Sequence, residues 1–442
     1  MVHATYSADV WPAPAAPGPL AATVRLPGSK SLTNRELVLS ALASAPSRLR
    51  DALVARDTDL MVAALRSMGT RIERDGGDLV VDPRPLAGDA SIDVGLAGTL
   101  MRFLPPVAAL GRGRVRFDGD DRARLRPMAT TILSLRALAV EVDDEGRGTM
   151  PFDVVGTGAV TGGTVTIDAS ASSQFVSGLL LSGARFEQGL VVDHRGSRLP
   201  SLPHIDMTID ALRGRGVDAT AEAVPVGAGP DRVARWIVPP HRIAGRDVAI
   251  EPDLSNAGPF LAAALVAGGW VTVPGWPEAT TQVGDRLRGW LAAFGAEVEL
   301  RGGALTVAGA GVAEHPLRPV DLDLGEGGEL APTLVGLAAF ADGTSTFTGI
   351  GHLRGHETDR LAALVAELGA VGITAEETED GLVVHGGRPV AGDRPWRTFA
   401  DHRMATTGAL IGLATPGLAV EDVASTAKTL PGFVDLWARL LP

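Results

Sequence analysis

The sequence contains no cysteine among its 442 residues. This absence excludes disulfide bonds, thiolate metal sites and a cysteine nucleophile together. No run of about 18 residues, the length a membrane-spanning helix needs, is free of charge, glycine and proline. The N-terminal residues lack a basic segment followed by an apolar one, so no signal peptide is expected. These absences together predict a cytoplasmic protein.

Lysine is nearly absent as well. Only Lys30 and Lys428 are present, and the other 38 basic residues are arginines, as expected of a genome biased towards GC-rich codons. Because that bias removes lysine wherever arginine serves as well, the two survivors are expected where a compact ammonium is needed and a planar guanidinium does not fit. Composition alone leaves the alternative, chance survival on the surface, open.

The sequence does contain ample apolar material and an acidic balance. Hydrophobic residues make up 45% of the chain, and the formal net charge is −12. The hydrophobic fraction excludes a chain that is disordered throughout. The negative charge argues against a general nucleic-acid binder, which carries a basic surface. By length, two large domains or three smaller ones are expected.

Two sets of helical segments alternate along the chain and indicate six copies of one unit. Those of the first set are amphipathic: Asp57–Ile72, Pro127–Val142, His204–Val217, Gly284–Val298, Glu357–Ile373 and Ala427–Leu441. Those of the second set are apolar almost all round, which is typical of helices inside a domain: Thr33–Ala45, Ala97–Leu110, Ser172–Ala184, Ser255–Ala267, Gly328–Ala341 and Asp401–Leu413. Extended runs lie between them at Thr23–Leu26, Leu79–Val81, Val115–Asp118, Thr164–Asp168, Val248–Ile250, Leu305–Val307 and Leu382–His385. We predict a mixed α/β fold with two domains of three copies each, the fourth copy beginning near Val248–Glu251.

Each apolar helix is preceded by glycine or short polar residues. Helix N-termini favour phosphates and carboxylates, because their backbone N–H groups and dipole are positive. Ordinary N-capping explains one polar residue per helix, but it does not explain Lys30 with Arg35 or His402 with Arg403. If the two domains face each other, these helix starts line one anion-binding cleft. The local field of such a cleft decides binding, whatever the net charge.

Two other motif interpretations are disfavoured. Gly28–Ser31 differs from a nucleotide P-loop, since Ser29 and Thr23 stand where that motif requires glycine. His352 and His356 have the spacing of metal ligands on a helix, but the glycines at 351 and 355 argue against a helix there. Neighbouring arginines would also repel a cation, so no metal is expected.

Longer motifs run through the whole chain: Leu26-Pro-Gly-Ser-Lys-Ser-Leu-Thr-Asn-Arg35, Ala97-Gly-Thr99, Arg126-Pro127, Ser172-Ser-Gln174, Ser201-Leu-Pro-His-Ile-Asp206, Glu357-Thr-Asp-Arg360, Asp401-His-Arg-Met404 and Lys428-Thr-Leu-Pro431. With these motifs the sequence resembles the 5-enolpyruvylshikimate-3-phosphate synthases of the enolpyruvyl transferase family. The resemblance implies two inside-out α/β domains of three βαβαββ repeats each, one at 27–248 and the other at 1–26 with 249–442. It further implies transfer of the enolpyruvyl group of phosphoenolpyruvate to the 5-hydroxyl of shikimate 3-phosphate. The resemblance also implies that phosphate leaves through a tetrahedral intermediate, in the pathway to chorismate and the aromatic amino acids, with no metal or organic cofactor.

The same resemblance implies a set of site residues for each substrate. Those for shikimate 3-phosphate are Lys30, Ser31, Arg35, Ser172, Ser173, Gln174, Ser201, Glu329 and His356. Those for phosphoenolpyruvate are Lys30, Gly98, Arg126, Gln174, Arg360, Arg403 and Lys428. Glu329 is expected to accept the proton of the 5-hydroxyl, and Glu357, assisted by Lys30, to protonate the methylene carbon. From the residues alone, Glu329 is also explained as a charge that complements a helix N-terminus.

Four residues depart from the common pattern of that family. His356 stands in place of lysine, His352 in place of asparagine, His204 in place of tyrosine and Leu96 in place of asparagine. We expect altered affinities and an altered pH profile, because a histidine at 356 titrates near its reference pKa of about 6.5.

Three alternatives remain open on the sequence. A sister transferase acts on UDP-N-acetylglucosamine, but it usually uses a cysteine acid, which this chain lacks. An RNA 3′-phosphate cyclase would need ATP and a basic surface. A degenerate paralogue would bind phosphosugars without turnover. We expect an active, monomeric enzyme with small-molecule substrates and neither nucleic-acid nor membrane partners.

Overall fold

The computed structural model describes residues 10–196, 199–222 and 233–442. Backbone contacts divide the chain into two compact units, unit 1 (Met1–Pro27 with Pro252–Pro442) and unit 2 (Gly28–Glu251). Each unit has its own core of buried apolar side chains. The domain borders expected from the resemblance, after residues 26 and 248, remain a prediction.

The strands are short and spread evenly along the chain. In chain order they are β1 (Val10–Pro12), β2 (Leu20–Thr23), β3 (Ser47–Arg50), β4 (Arg71–Asp75), β5 (Asp78–Asp82), β6 (Ala90–Asp93), β7 (Arg112–Asp118), β8 (Glu141–Asp143), β9 (Phe152–Thr157), β10 (Gly163–Ile167), β11 (Leu190–Arg195), β12 (Thr220–Glu222), β13 (Val233–Val238), β14 (Asp247–Ala249), β15 (Gly269–Pro274), β16 (Glu297–Arg301), β17 (Ala304–Gly309), β18 (Asp321–Asp323), β19 (Thr344–Thr348), β20 (Thr374–Glu377), β21 (Leu382–His385) and β22 (Ala419–Glu421).

The helices alternate with these strands. They are α1 (Lys30–Ala41), α2 (Arg56–Ser67), α3 (Gly98–Ala108), α4 (Asp121–Arg124), α5 (Ala129–Ala137), α6 (Gln174–Gly183), α7 (Pro203–Arg213), α8 (Leu254–Ala267), α9 (Leu287–Ala293), α10 (Ala331–Ala338), α11 (Arg360–Ala370), α12 (His402–Gly412) and α13 (Phe433–Ala438). Short 3-10 turns cover Val283–Arg286, Gly328–Leu330, Gly351–Gly355 and Val423–Lys428. None of the described helices combines the length and apolarity needed to cross a membrane.

Five four-stranded sheets within the described ranges share one strand order. They are β14-β3-β5-β4, β6-β7-β9-β8, β10-β11-β13-β12, β2-β15-β17-β16 and β18-β19-β21-β20. In each sheet the first two strands are parallel and the other two pairs are antiparallel. A parallel pair needs a crossover connection, which a helix supplies here. The predicted repeat of strand, helix, strand, helix and two strands is therefore confirmed.

Two of these sheets take their first strand from a distant part of the chain. Strand β14 pairs with β3 and so belongs to the first copy, in unit 2. Strand β2 pairs with β15 and so completes the fourth copy, in unit 1. The strand predicted at Val248–Ile250 therefore does not open the fourth copy, and the rest of that copy follows from Pro252 onward. The run predicted at Thr23–Leu26 is also displaced, because the residues that pair with β15 are Leu20–Thr23.

The helices predicted to be apolar all round form the interior of each unit. In unit 2, α1, α3 and α6 contact one another, and in unit 1 α8, α10 and α12 do so. In α8 every residue except the last is buried. Lys30, Gly98, Gln174 and His402 are the first residues of their helices, so the backbone N–H groups there have no partner within the helix.

The amphipathic set is confirmed with shorter bounds, apart from one start that is wrong. The segment predicted to begin at residue 427 is a 3-10 turn as far as Lys428, and α13 begins only at Phe433. Gly432 has a φ of +80°, a left-handed conformation that glycine adopts without strain and that interrupts a helix. The stretch Gly351–Gly355, predicted not to be helical, forms a 3-10 turn.

Candidate active site

Lys30 stands at the start of α1 in unit 2 and faces the start of α2. Its Nζ lies 3.4 Å from Oδ2 of Asp57, whose side chain is buried. Ser29 caps the helix, since its side chain accepts from the backbone N–H of Leu32. The first turns of α1 and α3 are tied together by Asn34, which donates to the hydroxyl of Thr99 at 2.8 Å. The ammonium is thus held among the helix starts of unit 2.

Arg35 lies one turn further along α1 and is fully buried. Its Nε donates to Oγ1 of Thr208 at 2.8 Å, and its Nη2 donates to the carbonyl of His204 at 2.8 Å. Its Nη1 donates to the carbonyl of Ser31 at 3.0 Å. These bonds join α1 to α7, so Arg35 stabilises the helices that carry the residues of the predicted phosphate site.

The serine-rich start of α6 carries further predicted residues. The hydroxyl of Ser172 accepts from the N–H of Gln174 at 3.2 Å, and Ser173 is buried. Oε1 of Gln174 is buried without a hydrogen-bond partner among the described residues. Ser201, which precedes α7, has a φ of +54°, which is uncommon for a non-glycine residue and concentrates at functional sites.

Gly98 lies where three polar side chains converge. A Cβ at this position would lie 3.0 Å from Oε1 of Gln174, 3.1 Å from Nη1 of Arg102 and 3.3 Å from Nη2 of Arg126. Even the methyl group of alanine would therefore press against these polar atoms. Arg126 also donates to the carbonyl of Leu96 at 3.3 Å. Leu96, which departs from the family pattern, has its side chain buried in the core. Its backbone carbonyl still serves as an acceptor.

In unit 1, Glu357 is surrounded by cationic or protonatable groups. Nζ of Lys428 donates to its Oε1, and Nδ1 of His402 lies 3.2 Å from its Oε2. Nη2 of Arg360 lies 3.7 Å from the same oxygen. Burial raises the pKa of Glu357, but Lys428, His402 and Arg360 outweigh it and hold that pKa well below its ordinary value. Burial lowers the pKa of His402, against the opposing effect of Glu357.

Asp401 accepts hydrogen bonds from the guanidinium of Arg360 and from the backbone of Arg403. Its carboxylate accepts from Nε of Arg360 at 2.7 Å and from Nη2 at 3.2 Å, a bidentate pair that is strong and directional. Burial lowers the pKa of Arg360, but Asp401 and Glu357 more than compensate and raise it. Asp401 also caps α12 by accepting from the N–H of Arg403 at 2.8 Å, and Nη1 of Arg403 donates to the carbonyl of Ser255 at 2.9 Å.

Glu329 stands in the turn before α10 and is oriented by α8. Its Oε1 accepts from the hydroxyl of Ser255 at 2.9 Å. Ser255 therefore holds Glu329 through its side chain and Arg403 through its carbonyl. The sequence motifs include Asp401 but assign no role to it or to Ser255, because those roles depend on contacts between distant helices.

One group in unit 1 has the spacing of a metal site. Ligand atoms of Glu357, Asp401 and His402 lie within 4.8 Å of one another. Both carboxylates already neutralise cations, Glu357 with Lys428 and Asp401 with Arg360. A divalent ion would have to displace those cations, so this donor set fits a metal poorly.

The sequence matches the family model described as EPSP synthase (3-phosphoshikimate 1-carboxyvinyltransferase) over residues 14–437. A 3-phosphoshikimate 1-carboxyvinyltransferase from Kocuria rhizophila is 53% identical, with 98% of this chain and 97% of that protein covered.

The chain belongs to the EPSP synthase family.

Solved structures of EPSP synthase share its fold. An Acinetobacter baumannii EPSP synthase superposes with a TM-score of 0.76 at 23% identity, covering 96% of this chain and 97% of that one. The enolpyruvyl transferase NikO from Streptomyces tendae gives a TM-score of 0.69 at 20% identity, with 96% of each chain covered. The predicted two-domain α/β fold of this family is thereby confirmed.

The predicted site residues fall into two groups in this EPSP synthase family member. In unit 2, Gly98, Arg126 and Gln174 meet at one point, while Lys30 and Arg35 lie on α1. In unit 1, Glu357, Arg360 and Lys428 form one ion-pair network. Arg403 joins it through Asp401, and Nη1 of Arg360 lies 3.3 Å from Nδ1 of His356. Their roles toward each substrate stay predictions.

His352, one of the departures from the family pattern, is expected to destabilise the protein in acid. Burial, reinforced by Arg360 and opposed by Glu329 and Asp380, lowers the pKa of His352 from 6.5 to about 4. Because its protonation favours the unfolded chain, the free energy of unfolding falls as the pH drops from about 6.5 to about 4, by at most about 3 kcal/mol. Urea denaturation of the native protein and of His352→Asn, at several pH values, measures this contribution.

The contribution of His352 is the difference in the free energy of unfolding between the native protein and His352→Asn. Other buried groups titrate in both, so their effects cancel. The gap between the two free energies should change steadily between about pH 6.5 and 4. A constant gap across this range would contradict the assignment of a neutral, buried His352.

Proposed function

We propose that this chain acts as a 3-phosphoshikimate 1-carboxyvinyltransferase and that the residue groups in its two units carry out the reaction. It transfers the enolpyruvyl group of phosphoenolpyruvate to the 5-hydroxyl of shikimate 3-phosphate and releases phosphate. The observation that carries the proposal is the Glu357 network, in which one carboxylate pairs with Lys428 and lies 3.2 Å from His402 and 3.7 Å from Arg360. Such a network suits an anionic substrate that must exchange a proton at carbon.

We assign shikimate 3-phosphate to the serine-rich helix starts of unit 2, with Glu329 and His356 of unit 1 completing the set. The residues of this assignment are Lys30, Ser31, Arg35, Ser172, Ser173, Gln174, Ser201, Glu329 and His356. Support comes from the N-terminal position of Lys30 on α1 and of Gln174 on α6, because helix N-termini bind phosphate. The unusual backbone of Ser201 supports the same assignment.

We assign phosphoenolpyruvate to the arginines and lysines. The residues of this assignment are Lys30, Gly98, Arg126, Gln174, Arg360, Arg403 and Lys428. Guanidinium groups bind carboxylate and phosphate in a bidentate fashion. Asp401 accepts from the guanidinium of Arg360, and the carbonyl of Ser255 accepts from that of Arg403. These two donors are therefore oriented before the substrate arrives, which reduces the entropy lost on binding.

The chemistry requires two proton movements. The 5-hydroxyl oxygen attacks C2 of phosphoenolpyruvate and loses its proton to Glu329, while C3 gains a proton and becomes a methyl group. The resulting tetrahedral intermediate then expels phosphate, which carries away the proton of the 5-hydroxyl, as the methyl group returns a proton to Glu357. Ser255 orients Glu329, and a base so fixed can meet the geometric requirement of proton transfer.

Glu357 is the group assigned to the proton at C3. Without substrate it is a carboxylate, because its neighbours hold its pKa well below the ordinary value. A bound trianion takes Lys428 and Arg360 as its own partners and adds negative charge nearby. Both effects raise the pKa of a carboxyl group. The substrate itself thereby enables Glu357 to hold the proton that it delivers.

Monomeric state, cytoplasmic location and the absence of nucleic-acid partners belong to the same proposal. The acidic balance of the chain, with a formal net charge of −12, supports the last of these. No metal or organic cofactor is assigned to the reaction.

The function is tested by phosphate release from phosphoenolpyruvate without added metal. Parallel reactions contain shikimate 3-phosphate, UDP-N-acetylglucosamine or no acceptor. The proposal predicts release with shikimate 3-phosphate alone. Release only in the reaction with the UDP-sugar would overturn the assignment of shikimate 3-phosphate as the acceptor. Tight binding of shikimate 3-phosphate without release would indicate a paralogue that binds without turnover.

A further inference from the structure

Arg102 is a buried arginine on α3, one turn after Gly98. It is 4% exposed, and its guanidinium lies over the ring of Phe175, 5.2 Å from the ring centre. Its Nη1 contacts the carbonyl of Gly98 at 3.3 Å and Sδ of Met101 at 3.9 Å. Its Nε has no hydrogen-bond partner in the described part of the chain.

Arg102 differs from the other buried arginines in how its charge is balanced. Arg215 pairs with Glu36 at 2.6 Å, and Arg360 pairs with Asp401 at 2.7 Å. Among residues 10–196, 199–222 and 233–442, no carboxylate forms such a pair with Arg102. Burial, with a further contribution from the charge of Arg126, lowers its pKa, but a guanidinium stays protonated in proteins. A buried, unpaired cation is strongly unfavourable.

The guanidinium of Arg102 lies beside Gly98, near that of Arg126. Its Nη1 and Nη2 of Arg126 would lie 3.1 Å and 3.3 Å from a Cβ at that position. Gly98 is also the first residue of α3, so the positive, N-terminal end of this helix lies at the same place. Like charges so close repel each other, and an anion bound there would relieve the repulsion.

We propose that Arg102 is a positioning residue for the phosphoenolpyruvate site: its charge, beside Gly98, tightens the binding of the anion that Arg126 contacts and destabilises the protein without ligand. This inference rests on the proposed function of Gly98 and Arg126. It assigns no contact between Arg102 and the substrate. A purely structural arginine would stabilise the empty protein instead.

The test compares Arg102→Met, Arg102→Lys and the control Arg215→Met in the full-length protein. For Arg102→Met we expect a KM for phosphoenolpyruvate raised about tenfold or more, the effect of a unit charge several ångströms away in a protein interior. The KM for shikimate 3-phosphate should stay within about twofold, and the melting temperature without ligand should equal or exceed that of the native protein. Arg102→Lys keeps the charge and should recover part of the affinity. Arg215→Met should lower the melting temperature and leave both KM values unchanged.

Thermal stabilisation by inorganic phosphate gives a second readout that needs no turnover. Arg102→Met should require a higher phosphate concentration than the native protein for the same rise in melting temperature. Equal stabilisation of the two proteins would overturn the inference. So would a lower melting temperature with both KM values raised in parallel. Failure of the proposed function is distinct, because the native protein would then release no acceptor-dependent phosphate while the phosphate titration still reports on Arg102.

Discussion

Lys30→Ala is expected to lower kcat/KM by roughly 10³-fold, the scale of losing one preorganised charge at a reacting centre. Lys30 is the only lysine of unit 2, it begins α1, and it is assigned to both substrates. Lys30→Arg keeps the charge but changes its shape, and it should stay about tenfold or more below the native protein. Steady-state kinetics with both substrates varied measure the loss.

Stability must be separated from catalysis in this experiment, because the pair with Asp57 is lost as well. The double variant Lys30→Ala/Asp57→Asn leaves no uncompensated carboxylate at that place. We expect it to recover melting temperature without recovering activity. Arg56→Ala removes a cation whose side chain is 54% exposed, so its activity should stay within about twofold of native. A Lys30→Ala enzyme with near-native kcat/KM would refute the assignment.

Glu357→Gln is expected to lower kcat by about 10² to 10⁴-fold, the usual contribution of a positioned acid or base. The amide keeps the size of the side chain but cannot carry the proton to C3. It also releases Lys428 and Arg360 from their carboxylate partner. The KM for phosphoenolpyruvate should therefore stay equal or fall, so that the loss appears in kcat alone.

The matched control is Glu377→Gln, which removes an exposed carboxylate paired with Arg354. Its kcat should equal that of the native protein, because exposed pairs contribute little. A Glu357→Gln enzyme with unchanged kcat and a raised KM would show that Glu357 binds substrate and does not transfer a proton. Phosphate release followed over time measures both variants.

Much of the fold could be predicted because its repeat is local. The apolar helices, such as α8, are apolar all round, and this pattern is visible within a dozen residues. The pairing of β14 with β3 and of β2 with β15 was beyond such patterns, since partners far apart in sequence leave no periodic signal. The wrong helix start at 427 has a local cause in Gly432, whose left-handed φ a helical pattern does not reveal.

The site shows the same division. Lys30 and Lys428 were found because lysine is scarce, and the longer motifs supplied Glu357 and Arg403. Arg102 was missed because one arginine among 38 carries no signal. Its burial and its lack of a carboxylate partner are properties of the packed unit, as are the position of Ser255 and the lowered pKa of His352.

The most direct test of the account follows solvent deuterium during the reaction. Phosphoenolpyruvate and shikimate 3-phosphate are incubated with the native protein in D₂O, and the product is analysed by mass spectrometry and proton NMR. If C3 becomes a methyl group and then returns a proton, deuterium enters the vinyl CH₂ of the product, and Glu357→Gln slows that entry together with turnover. Product formed without any deuterium at C3 would contradict addition followed by elimination, and no enolpyruvyl product at all would contradict the proposed function.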